Sequence, residues 1–501
     1  MDVLLGIDAG TTAITVVAYN TDGTVLATAT ETQSTVHPEP GWAEQEMETV
    51  WKQTATTVKQ TVTALDEDAE IVGVGVTGQG DGCWLIDDDG TPVRNAVLWS
   101  DSRAASILEG WGADGTMDAL SGACGSSLYP GMCLPLLTWF AEHNPETLTD
   151  ATTAFSCKDW LVYQLTGIRG TDCTEATVPF LDRETSEFNP AVFEQADIPT
   201  YSDLVPEIRA GSDIVGHLTS DAASETGLPE GTPVVAGMID VAASAIGAGA
   251  VSKGDAAVSL GTSLFTQTIA DSPGETDAGI GMMFGIEDRW TSAVGSNAGT
   301  PSLEWVCEEL VETDSISSLE PIAASAPPGS EGVFYLPYLS TTGERGPFTD
   351  PNARAGFVGL DPTHTQEHLI RSVYEGLSLA VRDCLTELPA DPERVFLTGG
   401  GAQSAFWCEL LADCLGIELV VPQNDYPAVK GVVSLLAVAL GIVPTLEEGD
   451  RQLAGKRDTY APDPEIAEVY NEIYSVYRHT RQQMESVWQE HAQLRSTIKT
   501  D

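Results

Sequence analysis

The chain contains few basic residues: 23 lysines and arginines stand against 75 aspartates and glutamates, which gives its 501 residues a formal net charge of -52. Tight binding of nucleic acid needs cationic side chains that displace counterions, so no nucleic-acid partner is expected. The acidic residues are scattered and 42% of the residues are hydrophobic, which argues against a disordered acidic chain. This balance is typical of a halophilic, salt-accumulating cytoplasm, where a Debye length of roughly 3 Å screens self-repulsion.

Long apolar runs and paired cysteines are also missing. No uncharged apolar stretch is long enough to span a bilayer, and no basic segment precedes an apolar one at the N-terminus. We therefore expect no membrane span and no signal peptide. The nine cysteines include no Cys-x-x-Cys pair, so buried free thiols in a reducing, cytoplasmic compartment are expected instead of disulfides or a metal site.

The length predicts two domains. Because each half begins with a similar unit, the domains are placed at residues 1–250 and 251–501. The first unit is strand, Asp8-Ala9-Gly10-Thr11-Thr12, strand; the second is strand, Ser259-Leu260-Gly261-Thr262-Ser263, strand. In both turns, glycine permits close backbone approach, and N–H and hydroxyl groups can face a phosphate. Asp8 either holds Mg²⁺ or caps its own turn. The repeat predicts a duplicated domain with a cleft between the copies.

Two further segments place polar side chains after buried strands. The strand over 70–76 ends in Thr77-Gly78-Gln79-Gly80-Asp81-Gly82, which is either a ligand loop at a strand's carboxyl end or a solvated turn. The strand over 232–238 leads to Asp240 at the start of an alanine-rich helix. There Asp240 is either an N-cap or, kept ionised by the helix dipole, a group that accepts a proton from a substrate hydroxyl.

A third segment, Thr398-Gly399-Gly400-Gly401-Ala402, lies between a strand and a helix over 404–415. Its glycines let a flat ring or a phosphate approach the backbone, but the rest of a dinucleotide fingerprint is absent. Helices are also predicted over 42–65, 130–143 and 462–493, another is expected to open at 100–103, and 171–176 is predicted to be a polar loop. Asp101 and Arg103 are expected to clamp each other beneath Trp99, whose alternative is a plain core position.

Taken together, these motifs resemble the FGGY carbohydrate kinases of the actin-like ATPase superfamily, over a stretch from Leu5 to about Ile442. Each motif alone is weak evidence for the resemblance, but six motifs in the family's order and spacing are strong evidence for it. The segments that carry the resemblance are the phosphate loops 8–12 and 259–263, the Trp-x-Asp-x-Arg segment 99–103, the catalytic segment 236–240, the adenosine segment 399–402 with Ser404, and the signature running from 356–360 through 372–376.

The resemblance implies an α/β fold of two ribonuclease-H-like (actin/hexokinase-like ATPase) domains with a cleft between them. It implies transfer of phosphate from ATP to a primary hydroxyl of a sugar or polyol, with Asp240 as general base. Mg²⁺ would bridge the phosphates near Asp8, directly or through water. The resemblance assigns sugar binding to Gln79, Gly80, Asp81, Trp99, Asp101, Arg103, Tyr129 and Asp240, and ATP binding to Gly10, Thr11, Thr12, Gly261, Thr262, Thr300, Gly399, Gly400, Gly401 and Ser404.

The loop over 79–82 narrows the substrate. It has neither the Gln-Arg-Glu of glycerol kinases nor the Gln-Met-His-Gly of D-xylulose kinases, and with 129–131 it looks more like L-xylulose, erythritol and related polyol kinases. A pentulose, tetritol or pentitol is therefore expected, with Gly80 leaving room and Asp81 accepting hydrogen bonds from two hydroxyls. Two departures concern Thr15 and Leu136, where the family often has basic residues.

Two alternatives to this interpretation stay open. One is a D-xylulose or glycerol kinase of the same family. The other is an actin-like, nucleotide-dependent binding or scaffold protein without sugar chemistry, because fold alone does not decide function. A homodimer is left open, and the stereochemistry of the substrate does not follow from the sequence.

Overall fold

The computed structural model describes residues 1–272, 274, 279–285, 289–423 and 425–498. In this part of the chain, two seven-stranded sheets, each flanked by helices, account for most of the regular structure. The second domain predicted from the sequence ends at residue 501, and its last three residues lie outside the described residues.

The strands of the first half precede residue 240. In chain order they are β1 Asp2–Ala9, β2 Ala13–Asn20, β3 Val25–Thr32, β4 Glu44–Gln45, β5 Glu70–Gly78, β6 Trp84–Ile86, β7 Ala96–Val97, β8 Thr153–Phe155, β9 Thr171–Asp172, β10 Ile208–Arg209, β11 Ile214–His217, β12 Pro233–Val235 and β13 Met238–Ile239. The remaining strands are β14 Asp255–Leu260, β15 Leu264–Ala270, β16 Ile280–Met283, β17 Trp290–Ser296, β18 Phe334–Leu336, β19 Gly356–Val358, β20 Arg394–Thr398, β21 Glu418–Pro422 and β22 Arg457–Tyr460.

The α-helices connect these strands or pack on the sheets. They are α1 Met47–Thr63, α2 Ala105–Asp114, α3 Thr116–Cys124, α4 Cys133–His143, α5 Pro145–Asp150, α6 Cys157–Thr166, α7 Cys173–Phe180, α8 Ala191–Gln195, α9 Ser220–Thr226, α10 Asp240–Ala248, α11 Pro301–Trp305, α12 Glu320–Ala324, α13 Gln366–Thr386, α14 Ala405–Leu415, α15 Pro427–Ala439, α16 Leu446–Leu453 and α17 Pro464–Ile498. Short 3₁₀ segments lie at Pro199–Leu204, Ile316–Ser318, Ser330–Gly332 and Gly400–Gln403, and a π-helical segment lies at Val306–Val311.

The two large sheets repeat one arrangement. The first has the order β3-β2-β1-β5-β12-β11, and the second contains the order β17-β15-β14-β20-β21-β22. In each, the central strand pairs antiparallel with its hairpin partner on one side and parallel with the next strand on the other. The predicted repeat of the hairpin unit is confirmed at this level. The carboxyl ends of the parallel strands point to one edge, where α/β folds place ligands.

Helices α10 and α15 lie between the two sheets and tie the halves together. They touch backbone to backbone: a Cβ built on Gly247 would lie 1.8 Å from the Pro427 carbonyl oxygen, and one on Gly431 would lie 1.8 Å from the Ala243 carbonyl oxygen. Helix α15 packs on the first sheet although its sequence belongs to the second half, with Val429 and Val433 against β1. The two halves therefore share core contacts below the cleft.

Several elements differ from the sequence predictions in instructive ways. Helix α1 begins at Met47, because residues 44 and 45 pair with β7 in a short sheet. The segment 100–103 does not open a helix, since α2 begins at Ala105. The predicted polar loop over 171–176 is wrong: it holds β9 and the first turn of α7, which the Asp172 side chain caps by accepting the Thr174 N–H. Helices α4, α14 and α17 confirm the predicted ones with shifted ends.

All nine cysteines lie among the described residues and are free, and eight of them are buried, in agreement with the sequence prediction. Among the residues that the structure describes, no helix combines the length and hydropathy needed to cross a bilayer.

Candidate active site

Three neighbouring strands bring the candidate acidic residues together. In the register of the first sheet, Asp8 of β1 pairs with Thr77 of β5, and Met238 of β13 pairs with the same Thr77. The Thr77 hydroxyl also donates to the Met238 carbonyl oxygen at 2.7 Å. Gln79 and Asp240 directly follow β5 and β13, so both flank Asp8 at the carboxyl edge of the sheet.

Asp240 is the first residue of α10, as predicted from the sequence. Burial raises the pKa of its carboxyl to about 7, the negative charge of Asp8 adds to the rise, and the Val241 N–H opposes it. The backbone before it is anchored, because the Ile239 N–H donates to the Thr174 hydroxyl at 3.0 Å. A carboxyl with a pKa near neutrality is well matched to accept a proton at physiological pH.

Asp8 has the features expected of a metal-facing carboxylate. Its Oδ1 atom is buried without a hydrogen-bond partner in the described structure, and burial raises the pKa of the carboxyl to about 6. An unpaired carboxylate oxygen is a fitting ligand for Mg²⁺. Within the described ranges, no group of three or more histidine, cysteine or acidic side chains forms a metal cluster, so a bound Mg²⁺ would take its other ligands from water and phosphate.

Hydrogen bonds within the protein order the turn over 10–12, the first of the two predicted phosphate loops. The Thr11 hydroxyl donates to Gln79 Oε1 at 2.9 Å and accepts the Trp99 indole N–H at 3.0 Å. Gln45, on β4, donates to the Thr11 carbonyl oxygen at 3.0 Å. The Thr12 side chain is exposed. Of the two predicted threonine donors, Thr11 thus fixes the turn against the loop over 79–82, and Thr12 is exposed.

Asp101 and Arg103 form the predicted clamp. The guanidinium donates to both Asp101 oxygens, at 2.9 and 2.8 Å, and to Glu44 at 2.7 Å. It also stacks on the Trp42 ring, 3.9 Å from the centroid. Both members of the clamp are buried, whereas Trp99 is 39% exposed, so the core alternative for Trp99 is wrong. The clamp supports the Trp99 loop from below.

Hydrogen bonds hold the conformation of the loop over 79–82, which was predicted to bind the substrate. Asp81 has a left-handed backbone with φ of 56°, its Oδ2 accepts the Tyr129 hydroxyl at 2.5 Å, and its N–H donates to Glu175 Oε2 at 3.2 Å. Burial raises the pKa of Asp81 to about 6, and the Tyr129 hydrogen bond opposes that rise. A Cβ on Gly80 would lie 2.0 Å from Ile239, so the room expected beside Gly80 is filled by that side chain.

The predicted ATP-binding residues of the second half also lie together. The Thr300 N–H donates to the Gly261 carbonyl oxygen at 2.9 Å. Gly399 has φ of +88°, and a Cβ there would meet the Leu260 carbonyl oxygen at 2.4 Å. Ser404 caps α14 by accepting the Trp407 N–H at 3.0 Å. Beside Gly400, in contrast, a Cβ would meet only open space, which leaves that backbone accessible.

A cavity of about 820 Å³ lies between the halves. Asp8 and Asp240 line it together with Ser259, Thr398 and Gly399, so both sheet edges face one space. The Gln267 side chain of β15 donates to the Val241 carbonyl oxygen at 2.9 Å, which links the second sheet to the start of α10. The other predicted site residues, among them Gln79, Asp81, Thr262 and Ser404, do not line it, and Asp81 lines a separate space of about 30 Å³. Its far end is lined by Gln403, Gln423, Asp425, Asp458 and Tyr460.

The sequence reasoning missed some residues that contact the site. Thr174 and Glu175 hold the Asp240 and Asp81 segments, yet they belong to the stretch predicted to be a loop. Their signal was present, since an Asp followed three residues later by a Glu before an apolar run is the pattern of a helix start. No sequence pattern marked Gln45 and Glu44, because their hydrogen-bond partners, Thr11 and Arg103, are distant in sequence.

The two positions that lack the usual basic residue have ordinary surroundings. The Thr15 hydroxyl lies 3.3 Å from the Thr30 hydroxyl. Leu136 is fully buried in the core around α4. Neither position places a charge in the cleft.

Comparison with known proteins identifies the family to which the chain belongs. The FGGY family of carbohydrate kinases matches with its N-terminal domain over residues 3–247 and with its C-terminal domain over residues 256–440. The chain belongs to the FGGY family of carbohydrate kinases. It is 32% identical to the erythritol kinase of Brucella abortus (strain 2308), covering 97% of each chain, and 28% identical to the L-xylulose/3-keto-L-gulonate kinase of Escherichia coli (strain K12), covering 95% and 96%.

Solved structures give the same answer for the fold. The xylulose kinase of Rhodospirillum rubrum superposes with a TM-score of 0.90 at 26% identity, covering 97% of this chain and 100% of that one. The predicted fold class, two actin-like ATPase domains with a cleft, is confirmed. This FGGY kinase is an enzyme that phosphorylates a sugar or polyol with ATP, which overturns the scaffold alternative.

Proposed function

We propose that this kinase phosphorylates a primary hydroxyl of a tetritol, pentitol or pentulose, with Asp240 as the general base. The observation that carries the proposal is the position of Asp240: it begins α10, lines the cleft beside Asp8, and has a pKa of about 7. In this proposal its carboxylate takes the proton of the acceptor hydroxyl as that oxygen attacks the γ-phosphate of ATP. Such a base contributes most when its pKa lies near the working pH.

The acceptor is bound at the edge of the first sheet. Asp81, oriented by Tyr129, accepts hydrogen bonds from two hydroxyls, and Gln79, which is 3% exposed, keeps Thr11 and the loop in register. The Asp101–Arg103 clamp supports Trp99 over this space. These contacts orient one hydroxyl toward Asp240 and exclude water from it, which is how a kinase limits the hydrolysis of ATP.

ATP is bound at the edge of the second sheet. The turn at 10–12 on the first sheet and the turn at 261–262 present N–H groups and the Thr12 and Thr262 hydroxyls to the phosphates, and the open backbone at Gly400 receives the adenosine. Asp8, with its unpaired oxygen, would hold Mg²⁺ directly or through water. When bound, Mg²⁺ neutralises charge on the phosphates. With no basic side chain at positions 15 and 136, backbone donors and the metal carry this role.

Two observations favour the small polyol class. The loop over 79–82 resembles that of L-xylulose and erythritol kinases, and an erythritol kinase and an L-xylulose/3-keto-L-gulonate kinase are among the relatives. Xylulose kinases are relatives as well, at 28 to 30% identity, so D-xylulose is the second candidate. Glycerol, a cytoplasmic location, a homodimer and the absence of a nucleic-acid partner stay predictions.

The test is the release of ADP with Mg-ATP in concentrated KCl, across erythritol, L-xylulose, D-xylulose, pentitols and glycerol. Stimulation by erythritol, L-xylulose or a pentitol is the expected result. Stimulation by D-xylulose or glycerol alone would overturn the substrate class while leaving the family intact. Parallel unfolding curves in dilute buffer and in concentrated KCl test the halophilic interpretation, which equal stability in both would contradict.

A further inference from the structure

The first turn of α7 contacts both acid-bearing segments of the proposed active site. Thr174 accepts the N–H of Ile239, the residue before Asp240, at 3.0 Å. Glu175 accepts the N–H of Asp81 at 3.2 Å through Oε2. One helical turn thus connects the substrate loop with the strand that precedes the proposed base. Glu175 has no part in the function proposed above.

Asp81 depends on such a contact because its backbone is unusual. A φ of 56° lies in the left-handed region, which a residue with a side chain adopts infrequently and which persists only where the surroundings enforce it. Two hydrogen bonds hold Asp81: Tyr129 donates to its carboxylate, and its own N–H donates to Glu175. If the acceptor for this N–H were lost, the peptide could rotate and the carboxylate would point elsewhere.

Glu175 lies in the electrostatic field of a buried charge cluster. Lys158 is fully buried, and its ammonium forms ion pairs with Asp172, at 2.9 Å, and with Asp159. Burial raises the pKa of Glu175 well above its ordinary value, the carboxylates of Asp159, Asp172 and Asp81 act in the same direction, and Lys158 opposes them. The Asp81 N–H therefore donates to a carboxyl whose charge is influenced by the charged groups of α6 and β9.

The same carboxyl borders a small cavity with a mixed polar and apolar lining. A space of about 30 Å³, lined by Asp81 and Glu175 among others, lies beside the loop and can hold a water molecule. In the part of the chain described here, the buried Oε1 of Glu175 has no hydrogen-bond partner. Glu175 Oε2 therefore accepts the Asp81 N–H, and Oε1 is available to accept a hydrogen bond from a water molecule.

We propose that Glu175 is a positioning residue for the acceptor: by accepting the Asp81 N–H it keeps the loop in its left-handed conformation and directs the Asp81 carboxylate at the substrate hydroxyls. This inference rests on the proposed function of Asp81. It predicts that Glu175 acts on the binding of the acceptor and not on the binding of ATP.

The first experiment measures the structural link without substrate. Hydrogen exchange of the peptide over 79–83 is compared in the wild type, Glu175→Ala, Glu175→Gln and the control Glu184→Ala, an exposed residue in the segment that follows α7. Faster exchange in Glu175→Ala alone is expected, because Gln keeps an acceptor oxygen. Unchanged exchange in Glu175→Ala would overturn the proposal. This readout does not depend on which acceptor the enzyme uses, so it is separate from the test of the proposed function.

The second experiment measures kinetics with the acceptor that the wild type uses best among erythritol, L-xylulose, D-xylulose and glycerol. Glu175→Ala is expected to raise the KM for that acceptor about tenfold, as for one lost hydrogen bond, with the KM for ATP unchanged. Glu175→Gln should recover most of the loss. A parallel rise of both KM values, or a Gln variant as poor as Ala, would overturn the positioning role.

A double variant tests whether Glu175 acts on the acceptor KM through Asp81 or by another route. If Glu175 acts through Asp81, then Glu175→Ala adds little to the acceptor KM once Asp81→Ala is present, and fully additive effects would contradict the proposal. Should Glu175→Ala fail to fold, Glu175→Met fills a similar volume without an acceptor oxygen. The same exchange and KM changes are expected of it, and wild-type behaviour would overturn the proposal equally.

Discussion

The two hairpins that open the two sheets are alike in topology and different in chemistry. Asp8 occupies the next-to-last pair of the β1–β2 hairpin, opposite Thr15, and Ser259 occupies the next-to-last pair of β14–β15, opposite Phe265. Both residues line the cleft. The repeated framework therefore places an acid on one wall and a hydroxyl at the matching position of the other.

The neighbouring strands extend this contrast. Thr77 pairs with Asp8, and Thr398 pairs with Ser259; each threonine is followed by a glycine. Beyond that glycine the first half continues with Gln79 and Asp81, and the second with two more glycines and an alanine. The first sheet edge thus continues with polar side chains, and the second continues with residues that have small side chains or none. The two halves share one strand arrangement and differ in the residues that follow the strands.

The largest effect is expected on turnover when the proposed base, Asp240, is replaced. Asp240→Asn removes the proton acceptor but keeps a polar group of the same size. We expect kcat to fall by about 10³-fold, within the range for a general base, with the acceptor KM little changed. The measurement is steady-state ADP release. The matched control is Asp425→Asn, which also lines the cleft but on the side of α15; near-normal turnover in Asp240→Asn would remove the residue from this role.

The hairpin comparison itself is tested by a pair of variants. Asp8→Asn should lower activity by about 100-fold and raise the Mg²⁺ concentration needed for half-maximal rate, as for a lost metal contact. Ser259→Ala, at the matching position, should stay within about threefold of the wild type, since a lost neutral hydrogen bond contributes little. The measurement is the activity of both variants as a function of Mg²⁺ concentration. Equal losses of activity in the two variants would mean that the two walls are functionally alike.

A smaller effect distinguishes two glycines on the second wall. Gly399→Ala should destabilise the fold by about 1 to 3 kcal/mol, because its φ of +88° is unfavourable for alanine and the Cβ meets the Leu260 carbonyl. Gly400→Ala should leave thermal unfolding unchanged, since its Cβ meets open space, and should raise the KM for ATP. Thermal unfolding and ATP kinetics together separate the two. A stable Gly399→Ala protein would contradict the strain argument.

The smallest effect concerns pH. Because a base must be ionised, kcat/KM should rise with pH and reach half its maximum near pH 7, the pKa of Asp240. The negative charge of Asp8 raises that pKa, so Asp8→Asn should move the midpoint to lower pH. Ser259→Ala serves as the control and should leave the midpoint in place. A midpoint that stays fixed in Asp8→Asn would show that the two carboxyls do not interact.

Much of this protein followed from local sequence patterns. The hairpin over 3–19, the strand before Gln79 and the helix that starts at Asp240 were predicted because alternating or continuous apolar residues, turn glycines and helix starts act over a few residues. The family followed from the same segments in order, and with it the fold and the reaction class. The start of α7 was missed only because its Asp172 and Glu175 were not interpreted as a helix start.

Other features were decided by the tertiary structure alone. Strand order put Asp8, Gln79 and Asp240 at one edge, and α15 crossed over to the first sheet. Ile239 filled the space beside Gly80, and Glu175 reached the Asp81 N–H across 94 positions. Contacts of this kind depend on how distant segments pack, and the raised pKa values depend on the burial that the packing creates. The amino-acid sequence specifies which chemical groups the protein has, and the packing of its strands and helices specifies which of these groups come into contact.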